Sequence, residues 1–184
     1  MADNNINAAD DQGEINDDDD DRITEVVTKI VVLSTDNPKE KTFAITFDNF
    51  ADLPCVYGWQ VESSKFSCFQ TAWCVHIYPG GGDDDDVNQE DIDEEEREVA
   101  IYIVRKSEGE ALNIKYSIGI EDTTTNVQMC KGVARCFNFD ESWGHGFGTR
   151  TDIRNEHLEH GSLTVYVTMQ LKNLFPRTPS LQWY

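Results

Sequence analysis

The sequence predicts an all-β protein, an antiparallel sandwich or barrel of seven or eight strands. Three observations carry this. Apolar residues recur with period two through most of the chain after residue 22, the pattern of half-buried strands. The strands are short and separated by turn signals such as Asp36-Asn37-Pro38 and Pro79-Gly80. Helical periodicity is weak and confined to Asp152–Glu159.

Each strand has its own reason. Ile23 to Leu33 is β-branched and reads as a single strand. Phe43, Ile45 and Phe47 alternate with Ala44, Thr46 and Asp48, and Trp73, Val75 and Ile77 with Cys74, His76 and Tyr78. Val99–Val104 is apolar on both faces, as a central strand must be. Leu112, Ile114, Tyr116, Ile118 and Ile120 share one face of the next strand. Val133–Phe139 adds another. Leu163, Val165, Val167, Met169 and Leu171 line one face of the last. Trp73 is expected in the core. There is no internal repeat.

With 184 residues, 39% of them hydrophobic, the chain can bury one proper core. Its 15 Lys+Arg against 35 Asp+Glu give a net charge of −20, which argues against nucleic acid and against an anionic membrane surface as partner. The acids are localised. Residues 1–22 hold nine with one base, and residues 83–98 hold eleven, again with one base. The first stretch reads as a disordered acidic tail, the second as a solvated loop inserted after Gly80-Gly81-Gly82. No apolar run approaches a membrane span, and the N-terminus lacks the basic and apolar regions of a signal peptide. Five cysteines without a Cys-x-x-Cys pair, and no Asn-x-Ser/Thr site, suit a reduced, cytoplasmic or nuclear setting.

No constellation for catalysis stands out, and a non-enzyme is expected. There is no Gly-x-Ser-x-Gly elbow, and four aspartates after the glycine run would repel a phosphate. His157-Leu158-Glu159-His160 is not His-Glu-x-x-His and reads as ordinary helix-end histidines. His76 fits either a structural role or solvent exposure. The acidic stretch lacks the glycine of an EF-hand loop at the sixth position, so neither metal nor cofactor is expected.

An ordered series of motifs is more specific. Phe43-Ala-Ile-Thr-Phe-Asp-Asn-Phe50 is followed by Ser63-Ser-Lys-Phe66, Trp73-Cys-Val-His-Ile-Tyr-Pro-Gly80 and Val99-Ala-Ile-Tyr-Ile-Val104. Then come Ile114-Lys-Tyr-Ser-Ile118, Phe137-Asn-Phe139, the Trp143-Gly144 turn and Gly161-Ser-Leu-Thr-Val-Tyr-Val167. The series resembles the MATH (meprin and TRAF homology) domain over residues 23–172, leaving 1–22 and 173–184 as tails. Departures are Ile45 where the family has Trp, and His145 where its Trp-Gly-Phe carries Phe. The resemblance implies an eight-stranded antiparallel β-sandwich of the TRAF-like type.

It also implies recognition of short extended peptides in a groove, as in the substrate-binding domain of speckle-type POZ protein. Matched motif to motif, the groove positions fall on Tyr102, Ile114, Phe137, Trp143 and His145, with Phe147 as a further one. By alternation alone Ile114 fits the core as well as the groove, and Tyr102 and Phe137 fit either. Partners would be short peptide motifs, in an adaptor role for ubiquitin ligation with a BTB or cullin-type component in trans. The alternative is a self-associating, TRAF-like scaffold.

Overall fold

The computed structural model describes residues 23–26, 28–33, 37–82, 93, 96–121 and 128–172. The expected tails at 1–22 and 173–184, and nearly all of the acidic segment 83–98, lie outside the described residues.

The strands are β1 (Ile23–Val26), β2 (Thr28–Leu33), β3 (Glu40–Phe47), β4 (Gln60–Ser63), β5 (Phe66–Cys68) and β6 (Thr71–Tyr78). After them come β7 (Glu98–Arg105), β8 (Leu112–Glu121), β9 (Gln128–Phe137), β10 (Ser142–Thr149), β11 (Leu158–Glu159) and β12 (Ser162–Leu171). They form two sheets. Sheet A has the order β1-β4-β6-β7-β10, with β5 beside β6; sheet B has β2-β3-β12-β8-β9, with β11 beside β12. Every pairing is antiparallel except β1 with β4.

The antiparallel sandwich is therefore as expected, and the described residues divide it more finely than eight strands. Residues 23–33 supply two strands, because β1 pairs in sheet A and β2 in sheet B. The last strand before the helical turn, β10, was not legible as a strand at all; its Trp143-Gly144 step lies inside it and not in a turn.

The period-two faces meet between the sheets. Phe43, Ile45 and Phe47 of β3, Trp73, Val75 and Ile77 of β6, and Ile101 and Ile103 of β7 are all buried there. So are Ile114, Tyr116, Ile118 and Ile120 of β8 and the apolar face of β12. Trp73 is fully buried, donates Nε1–H to the Cys68 carbonyl (3.1 Å) and meets Phe137 edge-on at 5.1 Å. Phe69 and Gln70, both at positive φ, close the two-residue hairpin that brings Cys68 over Trp73.

One helical turn, α1 (Arg150–Asp152), follows β10 and runs into a π-type turn at Ile153–His157, near the weak helical period. Thr149 and Asp152 cap it reciprocally. Its Arg150 is buried, lies 4.4 Å over the Phe50 ring, and donates to the carbonyls of Phe50 (2.7 Å), Ala51 (3.3 Å) and Leu53 (3.2 Å). This ties the 3-10 turn Phe50–Asp52 to the end of β10. Among the described residues no helix is long and apolar enough to cross a membrane.

Candidate functional site

β10 ends sheet A, and its outer edge pairs with no other strand among the described residues. Such an edge leaves backbone N–H and C=O groups open to a further strand. Opposite residues along β7 and β10 are Val104 and Ser142, Tyr102 and Gly144, and Ala100 and Gly146. Because Ile101 and Ile103 face the core, these three pairs face outward. The outward side of β10 thus carries two glycines and one serine, and the strand presents nearly bare backbone.

The two glycines are there for contact reasons. A Cβ on Gly144 would lie 2.0 Å from the Ile101 carbonyl oxygen, and one on Gly146 2.0 Å from the Glu98 carboxyl. At Gly144 the neighbour is backbone and no side chain fits; at Gly146 the neighbour is the end of the exposed Glu98 side chain, which would have to swing away.

Over this floor lies a cavity of about 500 Å³. β7 lines it with Glu98, Ala100 and Tyr102, β10 with Ser142 to Gly146, and Gly81-Gly82 close one end. Tyr102 is braced by Tyr78, edge-on at 5.6 Å, and the Tyr78 hydroxyl donates to the Gln60 amide oxygen. Trp143 and His145 alternate toward the inner side of β10 and are half-buried at the open margin of the sandwich. His145 stacks on Phe147 at 4.8 Å.

Of the six groove positions implied by the resemblance, the structure brings together Tyr102, Trp143 and His145. The other three are corrected. Ile114 and Phe137 have no exposed surface, and Phe147 has only 3%. Phe137 packs against Trp73 and Tyr116, Ile114 lies on the core face of β8, and Phe147 lies beneath His145. None of the three can touch a ligand in this conformation, because inward strand parity aims each at the opposite sheet.

Three residues at the site had no distinguishing mark in the sequence. The Arg135 guanidinium lies 4.6 Å over the Trp143 ring. Glu141 accepts from the Trp143 indole N–H (3.0 Å) and from the backbone and side-chain amides of Asn138 (both 2.8 Å). Those bonds, the Asn138 backbone amide foremost, hold the Glu141 carboxyl below its usual range and fix the indole plane. Glu98 is the third.

A polar cluster continues the same cross-strand row. Glu62 lies opposite His76, and His76 opposite Tyr102. His76 Nε2 is 2.8 Å from the Glu62 carboxylate, and the Lys106 ammonium is 3.1 Å from the same oxygen and 3.0 Å from Asp140. Glu62, Cys74 and His76 could gather on a metal, with ligand atoms all within 4.8 Å. Yet Lys106 already supplies positive charge there, and burial pushes the Cys74 thiol up to about 12, far from the thiolate a metal needs.

Burial, reinforced by the charge of Lys106, lowers the His76 pKa despite Glu62. Neutral His76 therefore donates Nε2–H to ionised Glu62, which can only accept. Burial alone would raise Glu62, but the bonds from His76 and Lys106 carry it below its ordinary value. Both shifts are downward, so both groups stabilise the fold above their ordinary values of 6.5 and 4.5. That stability is lost as pH falls, first through His76 and then through Glu62. Thermal melts of wild type and His76→Gln across pH 4–7.5 check this. The wild-type melting temperature is expected to fall more steeply below about pH 6.5 than that of the variant; parallel curves would exclude His76 as the source.

The remaining histidine pair does not form a site. His157 is buried and donates Nδ1–H to the Glu121 carbonyl (2.8 Å), while His160 is exposed at positive φ in the β11–β12 turn. The described residues thus form an all-β sandwich whose end strand β10 pairs with no further described strand and borders a cavity lined in part by Tyr102, Trp143 and His145. No family model matches the chain, and no curated protein matches it.

Proposed function

We propose that the chain is a protein-interaction module, with the MATH-type activity that its motif series resembles, and not an enzyme. An extended segment of a partner protein adds to the edge of β10, with main-chain hydrogen bonds supplying affinity and the adjoining cavity supplying selection. The observation that carries this is the juxtaposition of an end strand, without a further strand beside it among the described residues, and a cavity whose floor is the same strand's glycine backbone. Tyr102, Trp143 and His145 offer rigid contact area with polar edges, which suits such a groove.

The test is a positional-scanning library of ten-residue, end-capped peptides against the whole chain. Trp143→Ala is expected to weaken the selected peptides by roughly 2 kcal/mol while changing the melting temperature far less than a core truncation. Unchanged affinity would exclude Trp143 as an anchor.

A second reading has one observation in its favour. β2 ends sheet B and exposes Val31, Val32 and Leu33 at 41%, 61% and 37%, an apolar edge suited to another copy. Light scattering of the same sample separates the two: a monomer supports the peptide reader, a dimer or trimer the self-associating scaffold.

A further inference from the structure

We infer that the cavity beside β10 takes a cationic side chain, lysine or arginine, carried by the extended segment that pairs with that strand. This deepens the peptide-docking reading and rests on it. The occupant's charge follows from the described residues that line the cavity and from the composition of the chain next to its rim.

Among the described residues, Glu98 is the one charged side chain in the lining. Its carboxyl group lies directly on the backbone of Gly146, where a Cβ would be only 2.0 Å away, so the glycine is what lets the carboxylate reach over the floor. Glu98 is exposed, and among the described residues neither a basic side chain nor a hydrogen-bond donor is paired with that carboxylate. Its chain neighbour Arg97 donates to the Cys55 carbonyl (3.3 Å); Lys106 holds Glu62 and Asp140, Arg105 donates to the carbonyls of Phe137 and Glu108, and Arg150 to the Phe50 segment.

Tyr102, the aromatic residue on the outward face of β7, suits a cation as well. An ammonium or guanidinium placed over an aromatic face is attracted by the ring quadrupole. The chain demonstrates this at Trp143, whose ring already carries the guanidinium of Arg135 at 4.6 Å. A neutral or acidic side chain would leave the Glu98 carboxylate uncompensated once a bound segment excludes water from it.

The sequence adds a field of the same sign. The cavity rim is formed by Gly82 at one end and Glu98 at another, and the chain between them, residues 83–97, contains ten acids and one base. Acids in that number, so near the rim in sequence, raise the local concentration of cationic ligands and their rate of encounter, most strongly at low salt.

The experiment is the same peptide library probed with wild type and Glu98→Gln, followed by titration of one selected peptide and its Lys/Arg→Ala counterpart. Wild type is expected to enrich Lys or Arg at one fixed position. Glu98→Gln should weaken the cationic peptide about five- to tenfold and leave the alanine counterpart within about twofold. Melting curves of Glu98→Gln should match wild type, because the side chain is exposed and unpaired. Affinity for the cationic peptide should also fall more steeply with salt than affinity for its alanine counterpart. Peptides that bind with no cationic preference, or equal losses for both peptides in Glu98→Gln, would overturn this inference and leave the docking reading standing. If no peptide binds wild type, the docking reading falls and this inference with it.

Discussion

Trp73→Ala is expected to lower the unfolding free energy by ~3–5 kcal/mol, a large share of the ~5–15 kcal/mol that holds a domain of this size together. The indole is fully buried between the sheets and lies edge-on to Phe137. Truncation leaves a cavity that the surrounding strands cannot close, since both sheets are fixed by their ladders. It also removes the donor to the Cys68 carbonyl, a loss of about 1 kcal/mol if water does not reach that oxygen. Urea unfolding measures the change. A loss below 1 kcal/mol would mean that the site collapses around the deletion, and the packing described for β5, β6 and β9 would be wrong.

Arg150→Ala is expected to have an effect of similar size, ~3 kcal/mol or more, by a different route. Three backbone carbonyls in the Phe50–Leu53 stretch accept from its guanidinium; Phe50 also accepts from the Leu53 N–H (3.2 Å) and Ala51 from Arg154 (3.2 Å), so the Leu53 carbonyl depends on Arg150 most. All three bonds leave from one guanidinium nitrogen, Nη2, while the planar group lies over the Phe50 ring, a combination a lysine ammonium does not reproduce. Arg150→Met separates the two contributions: it restores most of the volume over the Phe50 ring but none of the hydrogen bonds. Equal stability of Arg150→Met and wild type would show that the carbonyls find water instead.

These two residues also mark what a sequence reveals and what it hides. Trp73 was legible because it sits at the start of an alternating run whose period is a property of the strand itself. The same holds for the core faces of β3, β8 and β12. Arg150 was not legible: its partners lie about a hundred positions earlier, and nothing local distinguishes a buried arginine from a solvated one. Strand β10 was hidden for a related reason. Gly144, Gly146 and Gly148 look like turn residues, and only the approach of Gly144 to the Ile101 carbonyl shows that it marks close strand contact.

The candidate site was legible in part. Transfer of family motifs reached Tyr102, Trp143 and His145, which stand on or beside the edge strand. It failed at Ile114 and Phe137, where strand parity alone already offered the core as an alternative. Arg135 and Phe137 share a parity on β9, but Phe137 meets Trp73 and Tyr116 across the core, whereas Arg135 reaches the Trp143 ring at the open margin. Position along a strand relative to the sandwich margin, which no one-dimensional pattern encodes, decides which of two such residues a ligand can meet. Glu98 escaped notice because it closes a run of acids and looks like one more of them.

The place of β12 in sheet B has a consequence for synthesis. It is the last described strand in the chain and yet the middle one of its sheet, with β2–β3 on one side and β8–β9 on the other. Thr42 and Thr168, bonded across the β3–β12 junction, are 126 positions apart. Until residues 162–171 leave the ribosome, sheet B exists as two separate two-stranded ribbons, each marginal by itself and each offering the edge that β12 will later occupy. Sheet A can assemble earlier, since all its strands precede residue 150. The nascent chain therefore waits with half its sandwich built and the apolar face of that half uncovered. That interval is when a chaperone has most to hold and when two chains are most exposed to pairing with each other.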